Sequence, residues 1–126
     1  MQLNLERPDY AWFLRGADGQ HALVNDRLLD RSFAMSPDTL VEGWPVTDAS
    51  ALTPDDLAPL LALDPELIVL GTGPSQRFPP AAVLHAALSR GVGLEAMDNA
   101  AAARTYSVLA GEGRKVVVAF VFPEQT

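Results

Sequence analysis

The run Glu66-Leu67-Ile68-Val69-Leu70-Gly71-Thr72-Gly73 decides how the whole chain is read. Four continuous apolar residues between an acid and a glycine turn mark a strand covered on both faces, and so one set in the middle of a sheet. Forward of it, Pro79-Pro80 opens a helix through Arg90 that Gly91 closes, with Val83, Leu84, Ala87 and Leu88 on one side and His85 on the other. Val92 to Met97 then reads as a strand, Asn99 to Ala110 as a small-residue helix and Lys115 to Phe122 as another buried strand. This alternation implies a short parallel βαβαβ core with right-handed crossovers.

Behind the run the pattern is different. Tyr10 to Arg15 and Gln20 to Val24 read as strands joined by the turn Gly16-Ala17-Asp18-Gly19, and Asn25-Asp26 makes a tight hairpin turn into a third strand from Arg27 to Met35. Ser36-Pro37-Asp38 stops that strand. Leu40 to Val46 forms a further strand around Trp44, weakened by Gly43 and Pro45. Thr53 caps a short helix with Pro54 at its first position and Asp56 in its first turn, and Pro59 kinks it. The expected fold is mixed α/β in three layers, with an antiparallel β layer from the N-terminal half packed on or extending the parallel core. Residues 1–126 form one domain.

Composition narrows the function. The chain has 126 residues, a net charge of −7, 48% hydrophobic residues and no cysteine, which suits a single core held without disulfides. Without cysteine there is no thiol nucleophile, zinc finger or iron–sulfur ligation. Residues 1–65 hold four Arg against eleven Asp/Glu, and the second half is balanced at five each. That acidity argues against nucleic acid as a partner. The longest apolar run is far shorter than a membrane span, and Glu6, Arg7 and Asp9 stand where a secretory signal needs apolar residues. The reading is a soluble cytoplasmic protein, not embedded in a membrane.

Catalytic signals are thin. His21 sits in a predicted hairpin strand and His85 on a solvent-facing helix side, no G-x-S-x-G elbow occurs, and no histidine spacing suits a metal. Gly71-Thr72-Gly73 lies where an open α/β sheet binds anions through backbone N–H groups, yet it lacks the third glycine of a dinucleotide fingerprint and the G-K-[ST] of a P-loop. If the strands ending at Leu70 and Met97 are parallel neighbours, Gly71, Thr72, Gly73 and Asp98 meet at one sheet edge, with Arg104 about 1.5 turns into the following helix. Those five residues form the candidate ligand site. Glu112, Arg114 and Lys115 belong to the opposite edge. Arg104 and Tyr106 have a structural alternative as packing locks, bonded to loop carbonyls. Trp44 and Phe78, with Tyr106, are the candidate partner-binding residues, because large aromatics dominate interfaces.

Taken in order, Ile68-Val69-Leu70-Gly71-Thr72-Gly73, Met97-Asp98-Asn99, Ala102-Ala103-Arg104-Thr105-Tyr106-Ser107 and Glu112-Gly113-Arg114 resemble a domain-of-unknown-function family. Its members include the mitochondrial respiratory complex I assembly factor 3, an adipogenesis-associated mammalian protein and many small bacterial and archaeal proteins. The resemblance covers nearly the whole chain. Asn99 replaces a frequent Thr, Ala103 a frequent Cys and Ser107 a frequent Asn. The resemblance implies a bacterial α/β protein with an extra antiparallel layer and no established catalytic activity, cofactor or metal. For the mitochondrial relative it implies help in assembling a membrane enzyme through protein contacts. The expected function is a non-enzymatic interaction or assembly-factor domain with an unidentified protein partner, as a monomer or homodimer. A small-ligand or anion-binding domain, with or without enzymatic activity, is the alternative.

Overall fold

The computed structural model describes residues 10–123. The expected mature start, which rests on Glu6, Arg7 and Asp9, lies outside the described residues. Five short strands come first: β1 (Leu14–Ala17), β2 (Ala22–Val24), β3 (Arg27–Leu29), β4 (Phe33–Met35) and β5 (Leu40–Glu42). The remainder is α1 (Ala58–Leu61), β6 (Leu67–Gly71), α2 (Ala81–Leu88), β7 (Gly93–Met97), α3 (Asn99–Gly111) and β8 (Val116–Phe120).

Two sheets result. One is antiparallel in the order β1-β2-β3; the other is mixed in the order β5-β4-β8-β6-β7. The βαβαβ core is parallel as expected: β6 pairs in parallel with both β7 and β8, and is thus interior. β4 extends it by antiparallel pairing to β8, and β5 by antiparallel pairing to β4. The N-terminal half therefore does two things, extending the core and packing on it.

One expected strand is really two. The predicted run from Arg27 to Met35 breaks at Asp30-Arg31-Ser32, where β3 leaves for the small sheet and β4 joins the large one. Ser32 holds this break: its Oγ bonds Val46 O, and Phe122 N donates to it at 2.9 Å. Asp18 makes the first hairpin turn by accepting from Gln20 N and His21 N at 2.8 and 2.7 Å, which holds its carboxyl below the ordinary aspartate value. Asn25, at φ 52°, makes the second, and its side chain binds Phe13 N and Ala11 O. The strand around Trp44 ends earlier than expected. Gly43 at φ +76° turns the chain, and Trp44 goes under into the core.

The layers follow from alternation along β8. Val117, Ala119 and Val121 face one side, where Leu57, Leu60, Val83, Ala87 and Trp44 cover them. Val116, Val118, Phe120 and Phe122 face the other, against Ala102, Ala103, Tyr106 and the small sheet's Leu14, Ala22 and Val24. Each fully buried Val, Leu or Phe contributes roughly 1.5–3 kcal/mol, so this doubly covered sheet is the principal source of stability. Pro59 leaves only a short helix, α1, running on from a 3-10 turn at Pro54–Leu57. The Asp56 carboxylate accepts from Thr53 N and Oγ1 at 2.8 and 3.1 Å there. Leu88, expected on the buried side of α2, is exposed because only Val83 and Ala87 reach the sheet.

Candidate functional site

The glycine turn and the start of α3 do share one rim. Asn99 N donates to Gly73 O at 2.9 Å and Thr72 N to Met97 O at 2.8 Å. Gly71, Thr72, Gly73 and Asp98 are thus brought together at the carboxyl ends of β6 and β7, the edge at which open α/β sheets take their ligands.

What fills that rim is the protein itself. Asn99 is fully buried; its Oδ1 accepts from Gly73 N at 3.0 Å, and its Nδ2 donates to Asp18 O at 3.0 Å and Val121 O at 3.2 Å. One side chain ties the first hairpin, the turn after β6 and the end of β8 to the helix start. A Cβ on Gly71 would stand 2.5 Å from Asn99 Oδ1 and 2.9 Å from Phe120 Cδ1, and a Cβ on Gly19 would meet Pro74 at 2.5 Å. These glycines allow close approach, and Gly73 supplies a φ of +113°.

Thr72 closes the loop beyond. Its Oγ1 donates to Ser75 O at 2.7 Å, lies 3.2 Å from Met97 O and accepts from Arg77 N at 3.0 Å. The Asp98 carboxylate caps α3 by accepting from Ala101 N at 2.8 Å. Arg104 is exposed, and its side chain makes no hydrogen bond or ion pair among the described residues. It sits two residues from buried Tyr106, about 200° round the helix and so away from the rim. Arg104 therefore neither enters a crevice nor locks the packing. Arg77, which sequence reasoning passed over, lines a small cavity of about 270 Å³ with Thr47, Asp48, Thr72 and Gly73.

Of the three candidate partner residues, two are interior. Trp44 is 4% exposed and its Nε1 donates to Asp56 O at 2.9 Å. Tyr106 is buried edge-on to Tyr10, and its hydroxyl donates to Trp12 O at 2.8 Å. Burial pushes the Tyr106 phenol far above its ordinary value. Their aromatic surface is used inside the molecule, which corrects the expectation that they face a partner. Phe78 remains outside, at 74% exposure.

A wider groove, about 620 Å³, lies at the opposite end of the strands between Tyr10, Pro37, Asp64, Gly113, Arg114 and Lys115. There Glu66 Oε1 meets Arg114 Nε at 2.6 Å and Lys115 N at 3.2 Å, and Lys115 Nζ stands 3.6 Å from Asp64 Oδ2. The Arg114 hydrogen bond holds the Glu66 carboxyl below its ordinary value. These pairs are exposed and paired with one another. Among the described residues no three His, Asp or Glu side chains gather in a metal-holding group.

Asn99 has no assigned role in the sequence, yet it is the residue that fills the rim. A signal was present: it is the polar member of the apolar face Asn99, Ala102, Ala103, Tyr106 and Ala110. Its partners lie 22, 26 and 81 residues away, beyond any local pattern.

The chain is similar to known proteins in sequence and in fold. Residues 14–121 match the model of a family described as protein of unknown function (DUF498/DUF598). A protein of Xanthomonas campestris solved by NMR shares 54% identity, with a TM-score of 0.84 over 100% of this chain and 97% of that one. A Bordetella parapertussis crystal structure shares 35% identity, with a TM-score of 0.83 over 93% of this chain and 100% of that one. The human NADH dehydrogenase [ubiquinone] 1 alpha subcomplex assembly factor 3 is 27% identical over 90% of this chain, and a 13 kDa major membrane protein of Francisella tularensis is 31% identical over 56% of it. The matched stretches span only 62% and 58% of those two relatives. On a family match that takes in most of its length, this chain belongs to the DUF498/DUF598 family of proteins of unknown function.

Proposed function

We propose that the chain is a non-enzymatic, assembly-factor-like domain that acts in the cytoplasm by holding a partner protein, and that its client is a component of a respiratory NADH dehydrogenase. The observation that carries this reading is the similarity to the human assembly factor over 90% of the chain. The geometry supports it from another side. At the sheet edge suited to a ligand, the Gly73 amide, the Thr72 hydroxyl and the Asp98 carboxylate already have partners within the protein. The anion-binding alternative, built on Gly71, Thr72, Gly73, Asp98 and Arg104, has correspondingly less support. Among the described residues no helix is long and apolar enough to cross a membrane, which suits a factor that visits a membrane enzyme.

Native gels of NADH dehydrogenase from cells lacking the chain test this directly. Accumulated subassemblies, restored by the wild-type chain but poorly by Phe78→Asp, are the expected result. An unchanged enzyme in the deletion strain overturns the reading. A parallel thermal-shift screen with inorganic phosphate and nucleotides tests the alternative; stabilisation lost in Thr72→Val would favour a ligand site at the glycine turn.

A further inference from the structure

Strand β7 is an outer strand of the five-stranded sheet. Its pairing with β6 dictates which backbone groups remain free. Gly93 N donates to Glu66 O and Met97 O accepts from Thr72 N, so Gly93, Glu95 and Met97 turn their backbone groups inward while Leu94 and Ala96 turn theirs outward. Gln76 Nε2 covers Ala96 O at 2.9 Å. The N–H and C=O of Leu94 and the N–H of Ala96 have no hydrogen-bond partner among the described residues. An edge of this kind is a template for a further strand.

Apolar side chains border it. Of the four exposed large hydrophobic residues among those described, Leu28, Phe78, Leu88 and Val108, the last three stand on elements that flank β7. Phe78 follows Gln76, which reaches the edge, by two residues. Leu88, 69% exposed, ends α2 just before β7 begins. Val108, 61% exposed, lies one turn beyond Thr105, whose Oγ1 is 3.3 Å from Met97 Sδ. Both helices that pack against β7 thus carry an exposed apolar side chain. The one charged residue of β7 is Glu95, which is exposed and makes no ion pair among the described residues.

We propose that the β7 edge receives an extended segment of a partner protein, added as one more strand, with Lys or Arg opposite Glu95 and apolar residues on either side. This rests on the interaction-domain reading and names its site. Main-chain hydrogen bonds to Leu94 and Ala96 give affinity, and the alternate side chains give selectivity. Charge decides against a second copy of this chain as the occupant. A two-fold antiparallel pairing that uses the outward groups of Leu94 and Ala96 sets Glu95 directly opposite its own counterpart, and like charges so placed destabilise a sheet.

NMR titration of the labelled full chain with two short peptides tests the proposal; both alternate valine with threonine, one with a central lysine and the other with a central glutamate. The lysine peptide should shift the Leu94 and Ala96 amides and slow their exchange, with the glutamate peptide roughly fivefold weaker. Glu95→Lys, a surface change that leaves the core alone, should reverse that order. Equal binding of the two peptides, no binding, or changes centred on β3 or β5 would overturn the proposal. So would concentration-dependent broadening at β7 without peptide, which signals a second copy. In cells, full assembly of NADH dehydrogenase with the Glu95→Lys chain removes the edge but leaves the assembly reading standing. Peptide docking at β7 in a chain whose deletion spares the enzyme does the reverse.

Discussion

At the Gly71 end of the central strands, Asn99, Thr72 and the turn amides are hydrogen-bonded to one another and to the first hairpin. At the Glu66 end, Asp64, Arg114 and Lys115 line an open groove, and Glu66 and Asp64 hold Arg114 and Lys115 in solvent-exposed pairs. The first arrangement is buried, where an unmatched polar group is expensive, and no buried side-chain polar atom among the described residues lacks a partner. The second is exposed, where ion pairs contribute little. The end that general α/β rules mark for ligands is here a structural joint, and the end they disregard is the roomier one.

Substitutions should separate the two ends sharply. Gly71→Ala presses a methyl group onto Asn99 and Phe120 and should lower the unfolding free energy by about 3 kcal/mol in urea titrations; a loss under about 1 kcal/mol would mean that the joint yields. Asn99→Ala leaves Gly73 N, Asp18 O and Val121 O without their bonds and should cost about 2 kcal/mol. It should also quicken amide exchange at Gly73, a local readout that ordinary destabilisation would not confine there.

A pH series sharpens the same contrast. The Tyr106 phenol is raised in the folded protein from 10.0, so the unfolded chain loses that proton first. The stability it gives is complete below the unfolded value and declines as pH rises above it, approaching about 1.4 kcal/mol per pH unit. Tyr106→Phe should lose about 1 kcal/mol at neutral pH, with the bond to Trp12 O, and should flatten this alkaline decline. Glu66 titrates in the other sense. Its depressed carboxyl stabilises above the ordinary glutamate value, and that contribution fades as pH falls through the depressed one. Because the pair is exposed, Glu66→Gln should leave the neutral-pH melting temperature nearly unchanged, the smallest effect of the series. A large drop would make the Glu66 end structural as well.

Much of the fold was legible because its signals are local. The continuous apolar residues of β6 and β8 announce strands covered twice, and the small residues from Asn99 to Ala110 announce a helix, whereas the capping role of Asp98 shows only in the structure. The division of Arg27 to Met35 between two sheets was hidden, because what separates them is Ser32 bonding to Val46 and Phe122, the latter 90 residues away. The rim that joins Gly71 to α3 was foreseen from topology. Its occupant was not legible, since a buried asparagine fills it and nothing near Asn99 in sequence names its partners. Leu88 shows the converse limit. Its position on the helical wheel is apolar, yet a helix of only eight residues at the sheet's outer side covers less than its apolar stripe offers.

The placement of the chain's two tryptophans gives each layer its own optical reporter. Trp44 lies in the cluster beneath α1 and α2, and Trp12 packs at the border of the cluster beneath α3. With one replaced by phenylalanine, fluorescence from the other follows the melting of a single side of the large sheet. Coincident curves would establish that both sides come apart together; separate ones would time which lets go first.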